Sequence, residues 1–157
     1  MESRLNLFDS ELMTQFLKRF MGASAIAEES TLPKTLQELV RVRASQINGC
    51  GYCTDMHTKD ALAAGETQQR LNLVAAWRDA TVFTEAERAA LALAEEGTRL
   101  ADAATGVSDD TWQAARKHFD GEELAALITV IAVINAWNRL NVISGTPAGD
   151  YEPGQFG

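Results

Sequence analysis

Two cysteines and a histidine fall within eight residues, Cys50-Gly51-Tyr52-Cys53-Thr54-Asp55-Met56-His57, in a chain with only two cysteines and two histidines in all. In a helix, positions i, i+3 and i+7 share one face, so this spacing would stack the three side chains over two turns. A helix N-terminus carries partial positive charge and unpaired N–H groups, which favour a thiolate over a thiol. His57, one turn beyond Cys53, can act as a base or pair with its thiolate. Two cysteines three apart can also close a small reversible disulfide. The chemistry these parts suit is thiol redox chemistry at the start of a helix.

Other uses compete. Free cysteine is often just a small buried residue. Zinc could take Cys50, Cys53, His57 and a carboxylate, but structural zinc draws on two separated ligand pairs and no second pair exists here. Covalent c-type haem needs histidine directly after the second cysteine, where Thr54 stands. A thioredoxin-like domain shares the cysteine spacing but needs βαβ units, and the chain shows none. Glu38 is the next candidate, with two readings. Thr35-Leu36-Gln37-Glu38 is a capping-box pattern that would use the carboxylate on backbone N–H groups. A bend after this helix could instead turn Glu38 toward His57, to orient the imidazole. His118, among Arg116, Lys117 and Asp120, reads as a solvated surface residue.

The elements that must position these side chains all read as helices. Leu12, Met13, Phe16, Leu17 and Phe20 form a helical stripe with Asp9 or Ser10 as N-cap, and Met21 to Ser30 loses that periodicity and is expected to be a small-residue connection after the helix. Pro33 opens the next, which carries Leu36, Leu39, Val40, Val42 and Ile47 inward. Asn48-Gly49 is a break or sharp bend, because glycine is costly inside a helix and asparagine favours caps. The cysteine helix follows, with Gly65 closing it. Thr67 caps a helix with Leu71, Val74, Ala75 and Trp77. Thr84 to Glu87 is a capping box opening a long helix toward Ala104. Ser108 caps a helix with Trp112, Ala115 and Phe119 on one face. Asp120 to Glu123 begins the last, whose Leu124, Leu127, Ile128, Ile131 and Ile134 suggest burial on most sides. Residues 145–157, rich in glycine and proline, read as an extended tail.

At 157 residues the chain is most simply one domain. The expected fold is all-α, a single-domain bundle of about seven helices over residues 1–144, followed by the tail. A formal net charge of −8 argues against nucleic acid and anionic membranes, which call for clustered positive charge. The apolar stretch Leu124 to Trp137 is interrupted by Thr129 and Asn135 and is too short to span a bilayer. No secretion signal is recognisable, so the expected location is cytoplasmic, where a close cysteine pair is more often redox-active or metal-binding than part of a disulfide framework.

Glu38, Cys50, Cys53 and His57 at these intervals resemble the signature of AhpD-like alkylhydroperoxidases in the carboxymuconolactone decarboxylase superfamily. The flanks agree: Glu38 to Gly49, Ala76-Trp77-Arg78, Phe83 to Leu91, and Ile134-Asn135-Ala136-Trp137-Asn138-Arg139. The resemblance covers about residues 36–140. It implies an all-helical subunit assembling as a homotrimer or homohexamer, and thiol-dependent reduction of a hydroperoxide substrate with no metal or flavin cofactor. It makes Cys53 peroxidatic and Cys50 resolving, with Glu38 and His57 as a proton relay and an external dithiol as reductant. Some members carry a second histidine between the cysteines; here the position holds Tyr52, which cannot serve as a base near neutral pH. The helix dipole by itself favours Cys50 as the thiolate, whereas the resemblance makes Cys53 the attacker. A different class of function, a redox-responsive or scaffolding oligomer using the Cys50/Cys53 disulfide with little turnover, fits the same residues.

Overall fold

A computed structural model describes residues 2–103 and 105–155, and among these every regular element is helical. The seven α-helices are α1 (Glu11–Glu28), α2 (Lys34–Asn48), α3 (Gly51–Ala63), α4 (Gln68–Leu73), α5 (Glu85–Thr98), α6 (Asp109–Arg116) and α7 (Gly121–Ser144). Short 3₁₀ turns precede α1 at Leu7–Asp9 and follow α4 at Val74–Ala76. The starts are set by local chemistry. Ser10, Thr67 and Ser108 each accept a backbone N–H at a helix N-terminus, and Thr84 and Asp120 complete reciprocal capping boxes with Glu87 and Glu123.

Helix α2 is the axis of the molecule. Every residue from Leu36 to Ser45 is buried, although four of them are Gln37, Glu38, Arg41 and Arg43. Its apolar side chains divide between two cores. Leu36 and Val40 pack with Leu93, Leu127 and Val130, while Leu39 and Val42 pack with Trp77, Phe83 and Leu91. A smaller cluster joins Ala44, Cys50, Cys53 and Ile134. Gly49 ends α2 at φ 66°, a left-handed conformation that glycine adopts without steric cost, and this reversal lays α3 back along α2.

The buried charges of α2 are paired. Glu95 on α5 is 6% exposed and accepts from Arg43 Nε at 2.6 Å, from Trp77 Nε1 at 3.0 Å, and from Arg78, which also stacks on the Trp77 ring. One carboxylate thus ties α2, α5 and the segment between α4 and α5. Glu95→Ala is expected to leave the Arg43 guanidinium buried and unpaired and to cost about 3 kcal/mol, read as a lower urea midpoint with an unchanged slope.

Two boundaries differ from expectation. Helix α1 does not end near Met21 but runs to Glu28, because Ala23, Ala25 and Ala27 are strong helix formers. Helix α5 stops at Thr98 instead of continuing toward Ala104, with the weak formers Gly97 and Thr98 in its last turn; Ala104 itself lies outside the described residues. Helix α7 extends to Ser144, long and apolar enough to cross a membrane by length and composition, yet it packs against α1, α2, α3 and α5. It is buried on fewer sides than its composition suggests, with Ile128, Val142 and Ile143 exposed. The segment after it is held along α3: Lys59 Nζ donates to the carbonyls of Gly149 and Tyr151, and the buried Tyr151 donates its hydroxyl to Asp60.

Candidate active site

Cys50 is not within the helix, as the one-face arrangement assumed, but is its N-cap. Its backbone is extended (φ −82°, ψ 97°), and its sulfur accepts the Cys53 N–H at 3.3 Å. Cys50 and Cys53 are joined as a disulfide with Cα atoms 5.4 Å apart, and both are buried. The helix N-terminus therefore acts most directly on the Cys50 sulfur. His57 sits one turn after Cys53, as the spacing requires.

Glu38 is brought to His57 across the α2–α3 interface. Pro33 is the N-cap of α2 and no side chain caps that terminus, so the carboxylate is not spent on a capping box. Glu38 Oε2 lies 2.8 Å from His57 Nδ1, while Oε1 accepts from Arg41 at 2.6 Å. Burial by itself would raise the Glu38 pKa, but the hydrogen bond and charge of His57, then those of Arg41, outweigh it and hold the carboxyl below its ordinary value. An ionised Glu38 can only accept, so the proton rests on His57 Nδ1 and Nε2 is left as the basic nitrogen. His118, by contrast, is exposed.

A cavity of about 520 Å³ opens onto this arrangement. Cys53 and His57 line it and Cys50 does not; its walls are largely apolar, with Leu17 and Met21 from α1, Met56 from α3, and Ile134 and Trp137 from α7. Phe20 packs against the Trp137 ring, and Trp137 Nε1 donates to Ser24 Oγ at 3.0 Å, fixing one wall. Tyr52 also lines the cavity. Burial, then the charges of Asp55 and Asp60, push its hydroxyl pKa up, so it offers a proton donor where a histidine would offer a base.

Sequence reasoning missed a ladder of asparagines on α7. Asn48, at the α2–α3 bend, donates to Asn135 Oδ1 at 2.9 Å and to Asn138 Oδ1 at 2.8 Å; Asn138 in turn donates to Ser45. Asn141, the third, reaches Cys53 Sγ. The available signal was the recurrence of asparagine at i, i+3 and i+6 in an otherwise apolar helix, since an unpaired amide there would be costly.

A profile described as the carboxymuconolactone decarboxylase family matches residues 11–96, a span containing Glu38, both cysteines and His57. The chain belongs to that family. It is 36% identical to the uncharacterized protein YdfG of Bacillus subtilis over 138 residues, 88% of this chain and 92% of YdfG. Among solved structures, ATU0492 of Agrobacterium tumefaciens superposes with a TM-score of 0.89 at 33% identity, covering 96% of this chain and 100% of that one. ATU0492 is a protein of unknown function suggested to be the antioxidant defence protein AhpD, and the fold here is accordingly AhpD-like. An uncharacterized peroxidase-related protein of Silicibacter shares the fold at a TM-score of 0.76 and 22% identity, over 92% of this chain and 75% of its own. Family and fold together still leave the reaction to be argued from the site.

Proposed function

We propose that this family member is a thiol-dependent peroxidase that reduces organic hydroperoxides. The observation that carries the reading is the Cys53 sulfur at an apolar cavity beside His57, whose Nδ1 is held by the buried carboxylate of Glu38. In the reduced protein, His57 Nε2 takes the Cys53 proton. The thiolate attacks the terminal oxygen of ROOH, the O–O bond breaks, and the leaving alkoxide takes a proton from the imidazolium to depart as ROH. Cys53 becomes a sulfenic acid. The Cys50 thiol then condenses with it, releasing water and closing the disulfide, and an external dithiol restores both thiols with two electrons and two protons. Glu38 stabilises the transient imidazolium. The apolar cavity walls favour an alkyl-bearing peroxide over hydrogen peroxide.

The reading includes a cytoplasmic setting, where reductants keep such a pair cycling. It also includes a homotrimeric or homohexameric assembly, supported by exposed Leu12 and Phe16 on the outer face of α1. The test uses the Cys50→Ser variant treated with one equivalent of cumene hydroperoxide. Mass spectrometry should find one added oxygen on Cys53, reactive toward dimedone. Cys53 remaining unmodified while peroxide is still consumed would reject the assignment.

A further inference from the structure

The asparagines of α7 differ in what they hold. Asn135 and Asn138 are engaged with Asn48, Thr98 and Ser45, and so brace the bend between α2 and α3. Asn141 is 8% exposed and lines the cavity. Its Nδ2 donates to the Trp137 carbonyl one turn back at 3.0 Å and stands 3.5 Å from Cys53 Sγ. Asparagine inside a helix competes with the backbone ladder and is weakly favoured there, so its contact across the helix interface carries weight.

That contact is to a sulfur whose charge changes during the cycle. A disulfide sulfur is a poor acceptor. A thiolate is a charged one, and charge-assisted hydrogen bonds are roughly twice as strong as neutral ones. The amide thus gains most when Cys53 is reduced and ionised, and such differential stabilisation favours the attacking form.

We propose that Asn141 is a catalytic residue whose side-chain N–H hydrogen-bonds the Cys53 thiolate and keeps that sulfur presented to the cavity. Its catalytic meaning rests on the peroxidase reading; the stabilisation of the thiolate does not. The charged and titratable groups around the same cavity are His57 and Tyr52 from α3, Arg41 from α2 and Glu28 from α1. Arg41 is occupied by Glu38, Gln37 and Glu28. Asn141 therefore supplies α7's polar group at the sulfur, one that does not titrate.

The test is the pH dependence of iodoacetamide alkylation in the Cys50→Ser background, where Cys53 is the sole thiol. Asn141→Leu, which keeps the bulk and removes the donor, should raise the midpoint by about one pH unit, so that alkylation below it slows about tenfold. Asn141→Asp should raise it further, since a carboxylate would then face the thiolate. With Cys50 restored, Asn141→Leu should lower kcat/KM for cumene hydroperoxide by about tenfold. Circular dichroism checks the fold, and the aspartate variant carries the test if the leucine variant does not fold. An unmoved midpoint overturns the proposal, including when only the melting temperature falls, because that is a purely structural role. A shifted midpoint in a protein without peroxide turnover would leave the Asn141 contact standing and remove the peroxidase reading instead.

Discussion

Cys53→Ser is expected to abolish peroxide consumption supported by a dithiol, with kcat/KM falling roughly three orders of magnitude or more, as for other nucleophile deletions. The substitution separates two physical arguments that point to different cysteines. Cys50 caps α3 and accepts the Cys53 N–H, so the helix dipole bears on its sulfur. Cys53 has the cavity, the histidine one turn away and the Asn141 amide. A base in reach removes the proton directly and access decides which sulfur meets the peroxide, whereas the terminus offers only partial charge. Serine keeps the volume of the site but not a nucleophile that can accept oxygen. Were Cys53→Ser to retain turnover while Cys50→Ser lost its first turnover, the dipole would have won and the roles would be exchanged.

Glu38→Gln should produce two losses at once. The glutamine amide matches the carboxylate in shape but can neither accept from both Arg41 and His57 equally nor balance an imidazolium, so kcat should fall about 100-fold. Arg41, 6% exposed, loses its closer carboxylate and keeps only Glu28 at 3.7 Å, so unfolding free energy should drop by about 2 kcal/mol. The pH dependence follows from the depressed carboxyl. Because the folded pKa lies below its ordinary value of 4.5, the ionised group's contribution is complete above that value and is lost as pH falls through the lower folded one. Wild-type stability should therefore decline on acidification below about pH 4.5, and Glu38→Gln should flatten that part of the decline. Urea unfolding at a series of pH values reads both effects. Equal midpoints for the two proteins at neutral pH would mean the carboxylate holds nothing.

The two experiments probe features of unequal legibility. The cysteines and His57 could be read as one site because they are near in sequence and a single helical repeat relates Cys53 to His57. Even so, Cys50 fell one residue outside the helix, since its side chain serves as the cap. Glu38 was ambiguous for a definite reason: the capping box and the orienting carboxylate need the same residue type, and only the position of Pro33 as N-cap separates them. Asn141 carried no local signal that tied it to Cys53, as the two lie 88 residues apart.

From the sequence alone follow the all-helical class, the helix starts at Thr67, Thr84, Ser108 and Asp120, the first start to within Asp9 or Ser10, the bend at Asn48-Gly49 and the closeness of the two cysteines. These depend on capping, propensity and spacing, which act within about one turn of chain. Tertiary structure alone decided the rest: that α2 is buried with its charges paired to Glu95 and His57, that α1 and α7 wall a cavity at Cys53, and that the C-terminal segment lies along α3. Those outcomes require helices distant in sequence to meet, and burial makes them meet by removing apolar surface from water whatever its position in the chain.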